Sequence, residues 1–251
     1  MTVLQSLHPP SMPSVPSTPS VPLAAVAPPN AQPARLAESA RYALLRRLAP
    51  AIRHDMAGAL QPISMVAAML EKRLQKPDPD LLALGKNVNA INALARDASL
   101  ACMQLMTWLS PRLDEPTPVA TGVAEAIALV ATDLSFKGFV MLNQCATPDV
   151  GIAVRVGVLR GLFMAALLAL TDSHPGPAHV LLNAQRDAGT VVLSIAVEPR
   201  EDDQIEVLGG MPPPFRNLDW DDVRALAAAE AAVLVLTAHR VELRLAAEQP
   251  A

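Results

Sequence analysis

Between Ala34 and Leu109 apolar residues return every three or four positions, the period of an α-helix. The first stretch, Ala34 to Gln75, holds Pro50 and Pro62, where interruptions are expected because proline withdraws a backbone donor. Lys76-Pro77-Asp78-Pro79-Asp80 then breaks the pattern, with Asp80 placed to cap a second helix that runs to about Leu109. In that helix Leu81, Leu84, Val88, Ile91, Ala95, Ala98, Cys102, Leu105 and Leu109 alternate by threes and fours, which predicts a coiled-coil or bundle seam. Beyond Pro118 the pattern changes. Gly122 to Leu134 reads as a helix, Gly138 to Ala146 as a strand and Val156 to Leu170 as a strongly apolar helix. Val180 to Gln185 and Thr190 to Val197 read as a hairpin, Trp220 to Leu234 as a helix and Val241 to Leu245 as a last strand. The expected fold is α+β: a helical hairpin over residues 34–110, a linker from Ser110 to Pro118, and an α/β sandwich over 119–251.

Residues 9 to 33 hold nine of the 24 prolines and no charge, and Pro13, Pro16, Pro19 and Pro22 keep the three-residue period of polyproline II. Such a segment cannot offset its ordering entropy by burial, so residues 1–33 are expected to be a disordered tether. Charge divides as the pattern does. Residues 34–110 carry ten basic and six acidic side chains, residues 111–251 ten and eighteen. With a net charge of -4 over 251 residues, nucleic acid is not an expected partner. The two cysteines, Cys102 and Cys145, lie far apart and exclude a disulfide framework or a cysteine-rich zinc site. No basic and apolar leader opens the chain, and the longest uncharged apolar run, Gly161 to Leu170, is half of the roughly 20 residues a bilayer requires. A cytoplasmic protein that does not engage the membrane is expected.

Projected at about 100° per residue, Ile52, Met56, Ala59, Ile63, Val66 and Leu70 fall on one stripe of the first helix. His54, Gly58, Gln61, Met65 and Ala68 fall on the opposite side, which points the imidazole away from the seam. Asp55 follows directly, close enough to orient the ring. The carbonyl that Pro62 would strike belongs to Gly58, one turn beyond His54, where a small residue leaves the imidazole open to a bulky partner.

Arg53-His54-Asp55-Met56-Ala57-Gly58-Ala59-Leu60-Gln61-Pro62-Ile63 resembles the H-box of the histidine kinase dimerisation and phosphotransfer domain. The order of elements over roughly residues 45 to 250 is similar to that family. The resemblance implies a homodimer in which two hairpins make a four-helix bundle, with His54 as the phosphoacceptor. It also implies that residues 119–251 are a kinase ATP-binding-like domain. Gly58 stands where many members carry a polar residue that supports phosphatase activity, and the proline comes later than usual.

The nucleotide chemistry that the resemblance calls for is missing. The apolar helix should offer N-x-x-x-N to magnesium and phosphates and reads Ala165-Ala166-Leu167-Leu168-Ala169, which supplies no oxygen donor. The D-x-G turn is replaced by Val197-Glu198-Pro199-Arg200, Gly209-Gly210 runs into Met211 and three prolines, and the last helix has no G-x-G entry. His174 and His179 form only an H-x4-H, and Asp202, Asp203, Asp219, Asp221 and Asp222 are expected to be solvated loop acids. The reading is a histidine phosphotransferase with a degenerate ATP-binding domain, passing phosphate between receiver-domain aspartates through His54. Asp55 would hold the reactive tautomer, and Gly58, Gln61, Met65 and Ala68 would line the face on which response-regulator receivers dock. No cofactor of its own is expected, Mg2+ arriving with the receiver. A non-catalytic pseudokinase scaffold is the alternative, and a divergent active kinase the third.

Overall fold

Long runs of helix-forming residues on either side of Pro50 and Pro62 carry helix α1 through both: it spans Ala31–Leu74, 44 residues and about 66 Å, without a break. The expected interruptions do not occur. Each proline removes a single N–H from a long hydrogen-bond ladder, and the burial of Leu48 and Ile52 on either side of Pro50 holds the turns together. The computed structural model describes residues 31–109, 114–145, 152–174, 177–187, 189–200 and 216–248. Ala31, Gln32 and Pro33, expected in the tether, belong to α1, while residues 1–30 lie outside the described residues.

Asp80 caps α2 (Leu81–Leu109) as expected, its carboxylate accepting from the amides of Leu82 and Ala83 at 2.9 and 3.1 Å. The α1–α2 seam has a different register from the nine-residue pattern. Leu84, Ile91, Ala98 and Leu105 face α1, but Asn87, Leu94, Ala101 and Trp108 complete the row, buried or half-buried. Leu81, Val88 and Leu109, with Met106 beside them, form a second row on the flank and stay exposed, Leu81 at 78%. One hairpin thus uses only half of the apolar surface of α2.

After Pro118 the chain builds a mixed sheet of β2 (Phe139–Asn143), β4 (Ala178–Asp187), β5 (Thr190–Pro199), β6 (Val233–Leu236) and β7 (Arg240–Ala246), in the order β2-β4-β5-β7-β6. β2 runs parallel to β4, and every later pair is antiparallel. Val180, Leu182, Leu193, Ile195, Val241 and Leu243 point to one face and are fully buried there, the period-two pattern of a half-covered sheet. Helices α3 (Val119–Phe136), α4 (Met164–Ser173) and α5 (Trp220–Ala229) complete this α+β unit. A separate two-stranded ladder pairs β1 (Pro116–Pro118) with β3 (Ala153–Arg155).

Three sequence expectations change here. Pro116–Pro118 is a strand and not linker, stabilised by a partner strand that the sequence pattern did not reveal. The helix expected to reach Leu234 ends at Ala229, because Ala231 takes a positive φ of 51° and turns the chain into β6. The apolar helix opens with a π-helical turn, Val158–Phe163, ahead of α4. Helix α3 is long and apolar enough to cross a membrane by length and composition, and Val123, Ala126 and Leu134 on it are fully buried.

The apolar core does not stop at the hairpin. Ala40, Leu44, Leu48 and Ile52 of α1, with Trp108 of α2, belong to the same cluster as the interior of α3, α4 and the sheet. The upper half of α1 lies against α5 and α3. Every residue from Met164 to Thr171 is buried.

Candidate functional site

His54 stands where α1 leaves the α/β unit and continues as hairpin. Its side chain is 73% exposed, and Nδ1 lies 3.3 Å from Asp55 Oδ1. The contact fixes a preference: with the proton on Nδ1 donated to the carboxylate, Nε2 bears the lone pair. Gly58, Gln61, Met65 and Ala68 are all exposed, so the face predicted from the projection is present as one surface along α1. A Cβ at Gly58 would meet nothing within 4 Å, which leaves open space one turn below the imidazole. Met56, Ala59, Ile63, Val66 and Leu70 are half-buried on the side toward α2.

Asp55, about 100° round the helix from His54, also lines a groove of about 330 Å3 between hairpin and α/β unit. Leu105, Trp108 and Leu129 contribute its apolar wall, and Gln104, Glu125 and Arg160 its polar edge. Arg160, carried on the π-helical turn, was not singled out from the sequence. It donates to Glu125 at 3.0 Å and to the Thr107 carbonyl at 3.2 Å, and its guanidinium lies 5.5 Å from the Trp108 ring centre. One cation therefore ties the end of α2, where helix carbonyls lack partners, to α3.

Arg47 was missed as well. Two turns before His54, and only about 20° round the helix from it, it donates to Asp133 at 2.8 Å and to both oxygens of Asp172 at 3.2 Å. Lys137 donates to Asp172 Oδ1 at 2.7 Å. Burial pushes the Asp172 carboxyl upward, but the hydrogen bonds and charges of Arg47 and Lys137 outweigh it and hold the group below its ordinary value. A second anchor is Glu230, buried at the end of α5, which takes Arg41 of α1 at 3.4 Å and Arg155 of β3 at 3.2 Å. The only sequence signal for either anchor was an arginine beside an apolar helical stripe, which is common on any amphipathic helix.

The positions at which the resemblance implies ligands for magnesium and phosphate do not fit those groups. Ala165 and Ala169 carry no oxygen donor and are themselves buried, at 0% and 3% exposure. Glu198 lies on β5 opposite His179, and Gly209, Gly210 and Met211 fall outside the described residues. No cluster of three or more histidine, cysteine, aspartate or glutamate side chains suited to a metal occurs among the described residues. His174 pairs with His239 and not with His179, ring centres 5.7 Å apart. Of the loop acids, Asp219 is the N-cap of α5 in a reciprocal capping box with Asp222, and Asp222 is buried against Arg216 at 2.8 Å. Asp222 is thus structural rather than solvated, whereas Asp219 caps the helix while 60% exposed and Asp221 is solvated as expected, at 90% exposure; Asp202 and Asp203 lie outside the described residues.

No protein-family model matches the chain, and no curated protein matches it in sequence. Solved structures similar to it are of histidine kinases. Against the Acinetobacter baumannii histidine kinase AdeS it is 14% identical, with 74% of this chain and 96% of that one covered and a TM-score of 0.41. The Erythrobacter litoralis blue-light activated histidine kinase EL346 gives 17% identity over 73% of this chain and 63% of that one, TM-score 0.41. The mycobacterial sensor histidine kinase MprB gives 16% over 55% and 99%, TM-score 0.38.

Proposed function

We propose that the chain is a dimeric histidine phosphotransferase of two-component signalling, passing phosphate between receiver aspartates through His54. The observation that carries this reading is His54 itself: exposed on a helix face without large obstructions, with Nδ1 engaged by Asp55. In the forward step the Nε2 lone pair attacks phosphorus, the bond from phosphorus to the aspartyl oxygen breaks, and the carboxylate leaves. Asp55 stabilises the positive charge that forms on the ring. The reverse step delivers the phosphoryl group to a second aspartate. Mg2+ comes with the receiver, and Gly58, Gln61, Met65 and Ala68 form the docking face. Transfer of this kind depends chiefly on positioning.

The dimer is supported by the apolar flank. Asp55 turns toward the α/β unit, and on the opposite side of the α1–α2 seam lie exposed Leu60 and Leu74 of α1 beside Leu81, Val88 and Met106 of α2. Exposed apolar rows on both helices of one flank suit a second hairpin, which would complete a four-helix bundle. The buried alanines at 165 and 169 support an α/β unit without nucleotide chemistry. Gly58, with no polar side chain to direct a water, favours a second reading as a scaffold that binds a receiver without taking its phosphate.

Acid-labile phosphate on the intact protein, measured by mass at neutral pH for wild type and His54→Ala, tests the proposal. Labelling by source-cell extract with Mg-ATP, absent with Mg-ATP alone and lost in His54→Ala, is the expected result. Labelling by Mg-ATP alone would make the chain a kinase. No labelling, with an extract competent on another relay protein, would leave the scaffold.

A further inference from the structure

The hairpin and the α/β unit are joined at both helices of the hairpin. The upper part of α1 is buried in the core of the α/β unit through Leu44, Leu48 and Ile52. Arg47, 14% exposed, holds Asp172, 4% exposed, and Asp133 together, and Glu230 holds Arg41 and Arg155. At the far end of the hairpin's second helix, Arg160 bonds the Thr107 carbonyl and Glu125. A swing about the connection after Leu109 would break all of these at once.

We infer that hairpin and α/β unit work as one rigid body, and that Arg47 is the positioning residue that fixes where His54 stands relative to the α/β surface. The inference deepens the phosphotransferase reading, since a fixed relation suits a protein that only receives and passes on phosphate. Arg47 never touches the reacting atoms. It acts through α1, less than two full turns from His54, and its planar guanidinium meets both oxygens of Asp172 on α4 and the carboxylate of Asp133 on α3 at once.

The test uses full-length protein carrying Cys102→Ala, with spin labels at Ser64→Cys and Arg186→Cys, diluted into unlabelled protein so that only distances within one chain are read. Pulsed dipolar spectroscopy should give one narrow distance distribution. Arg47→Ala should broaden it to at least about twice the width, and Arg47→Lys should fall between, because an ammonium cannot reproduce the two-oxygen grip on Asp172 together with the bond to Asp133. Arg47→Ala should keep native circular dichroism and a single unfolding transition, which separates lost positioning from a lost fold. A broad or two-peaked distribution in the unmodified clamp overturns the rigid body, and an unchanged width in a folded Arg47→Ala overturns the role of Arg47. No phosphate enters this measurement, so failure of the phosphotransferase reading would show separately, as unlabelled His54.

Discussion

The Arg47 guanidinium grips Asp172 through both of its carboxylate oxygens, each at 3.2 Å, between residues 125 positions apart in sequence. Breaking a buried pair from one side is costlier than never having it, because the remaining charge is left desolvated. Asp172→Asn should therefore destabilise the protein by roughly 3 kcal/mol in urea unfolding, with Asp133 still pairing Arg47 from one side.

The same pair sets a pH dependence. The folded Asp172 carboxyl lies below its ordinary value, so its stabilisation is fully present above the unfolded carboxylate pKa of about 3.9 and is lost as pH falls through the lower, folded value. Unfolding free energy followed from pH 7 down to pH 2 should decline below about 4, and Asp172→Asn should flatten that decline.

Two glycines should respond in opposite senses. A Cβ at Gly122 would collide with the Leu159 side chain and crowd Thr117, so Gly122→Ala should cost about 1–3 kcal/mol by overpacking the joint of α3 with the π-helical turn. At Gly58 nothing lies within 4 Å, and Gly58→Ala should stabilise the helix by about 0.5–1 kcal/mol in thermal unfolding.

The cysteines should differ in reactivity. Burial pushes the Cys145 thiol up to about 11, while Cys102 is half-buried on the hairpin. Iodoacetamide at pH 8 should modify Cys102 in the native protein and reach Cys145 only on unfolding, as peptide mass mapping would show. Equal native labelling would count against the packing around Cys145.

His54→Ala should leave the unfolding free energy unchanged within about 0.5 kcal/mol in urea unfolding, because the ring is exposed and its polar contact with Asp55 lies at the surface. Val88→Glu, on the unpartnered flank, should instead shift sedimentation toward a monomer while leaving circular dichroism intact.

The elements that sequence disclosed were those with a strong local period: two hairpin helices, the apolar helix, and the strand pair around Gly189. His54 and its face were legible for the same reason, since a helix of known phase fixes where each side chain points. What stayed hidden depended on distant partners. The edge strand Val233–Leu236 is locally indistinguishable from the end of α5, and its existence rests on β7. Pro116–Pro118 needed Ala153–Arg155 to become a strand. The seam register of α2 could not be chosen from α2 alone, because two apolar rows compete and only α1 decides between them. Arg47 and Arg160 were invisible because an arginine says nothing about a carboxylate far along the chain.

The long reach of α1 bears on how the protein is made. Its upper stripe of alanines and leucines leaves the ribosome well before its ionic partners, which stand 125 and 189 positions downstream, at Asp172 and Glu230. Until α3 and α5 have emerged, that stripe is not fully covered by its own chain, and closing so large a loop makes docking a late event in folding. During synthesis the nascent chain presents a greasy helix waiting for its acceptor, which makes α1 the natural contact for a holding chaperone and the first place from which an unfinished chain would aggregate.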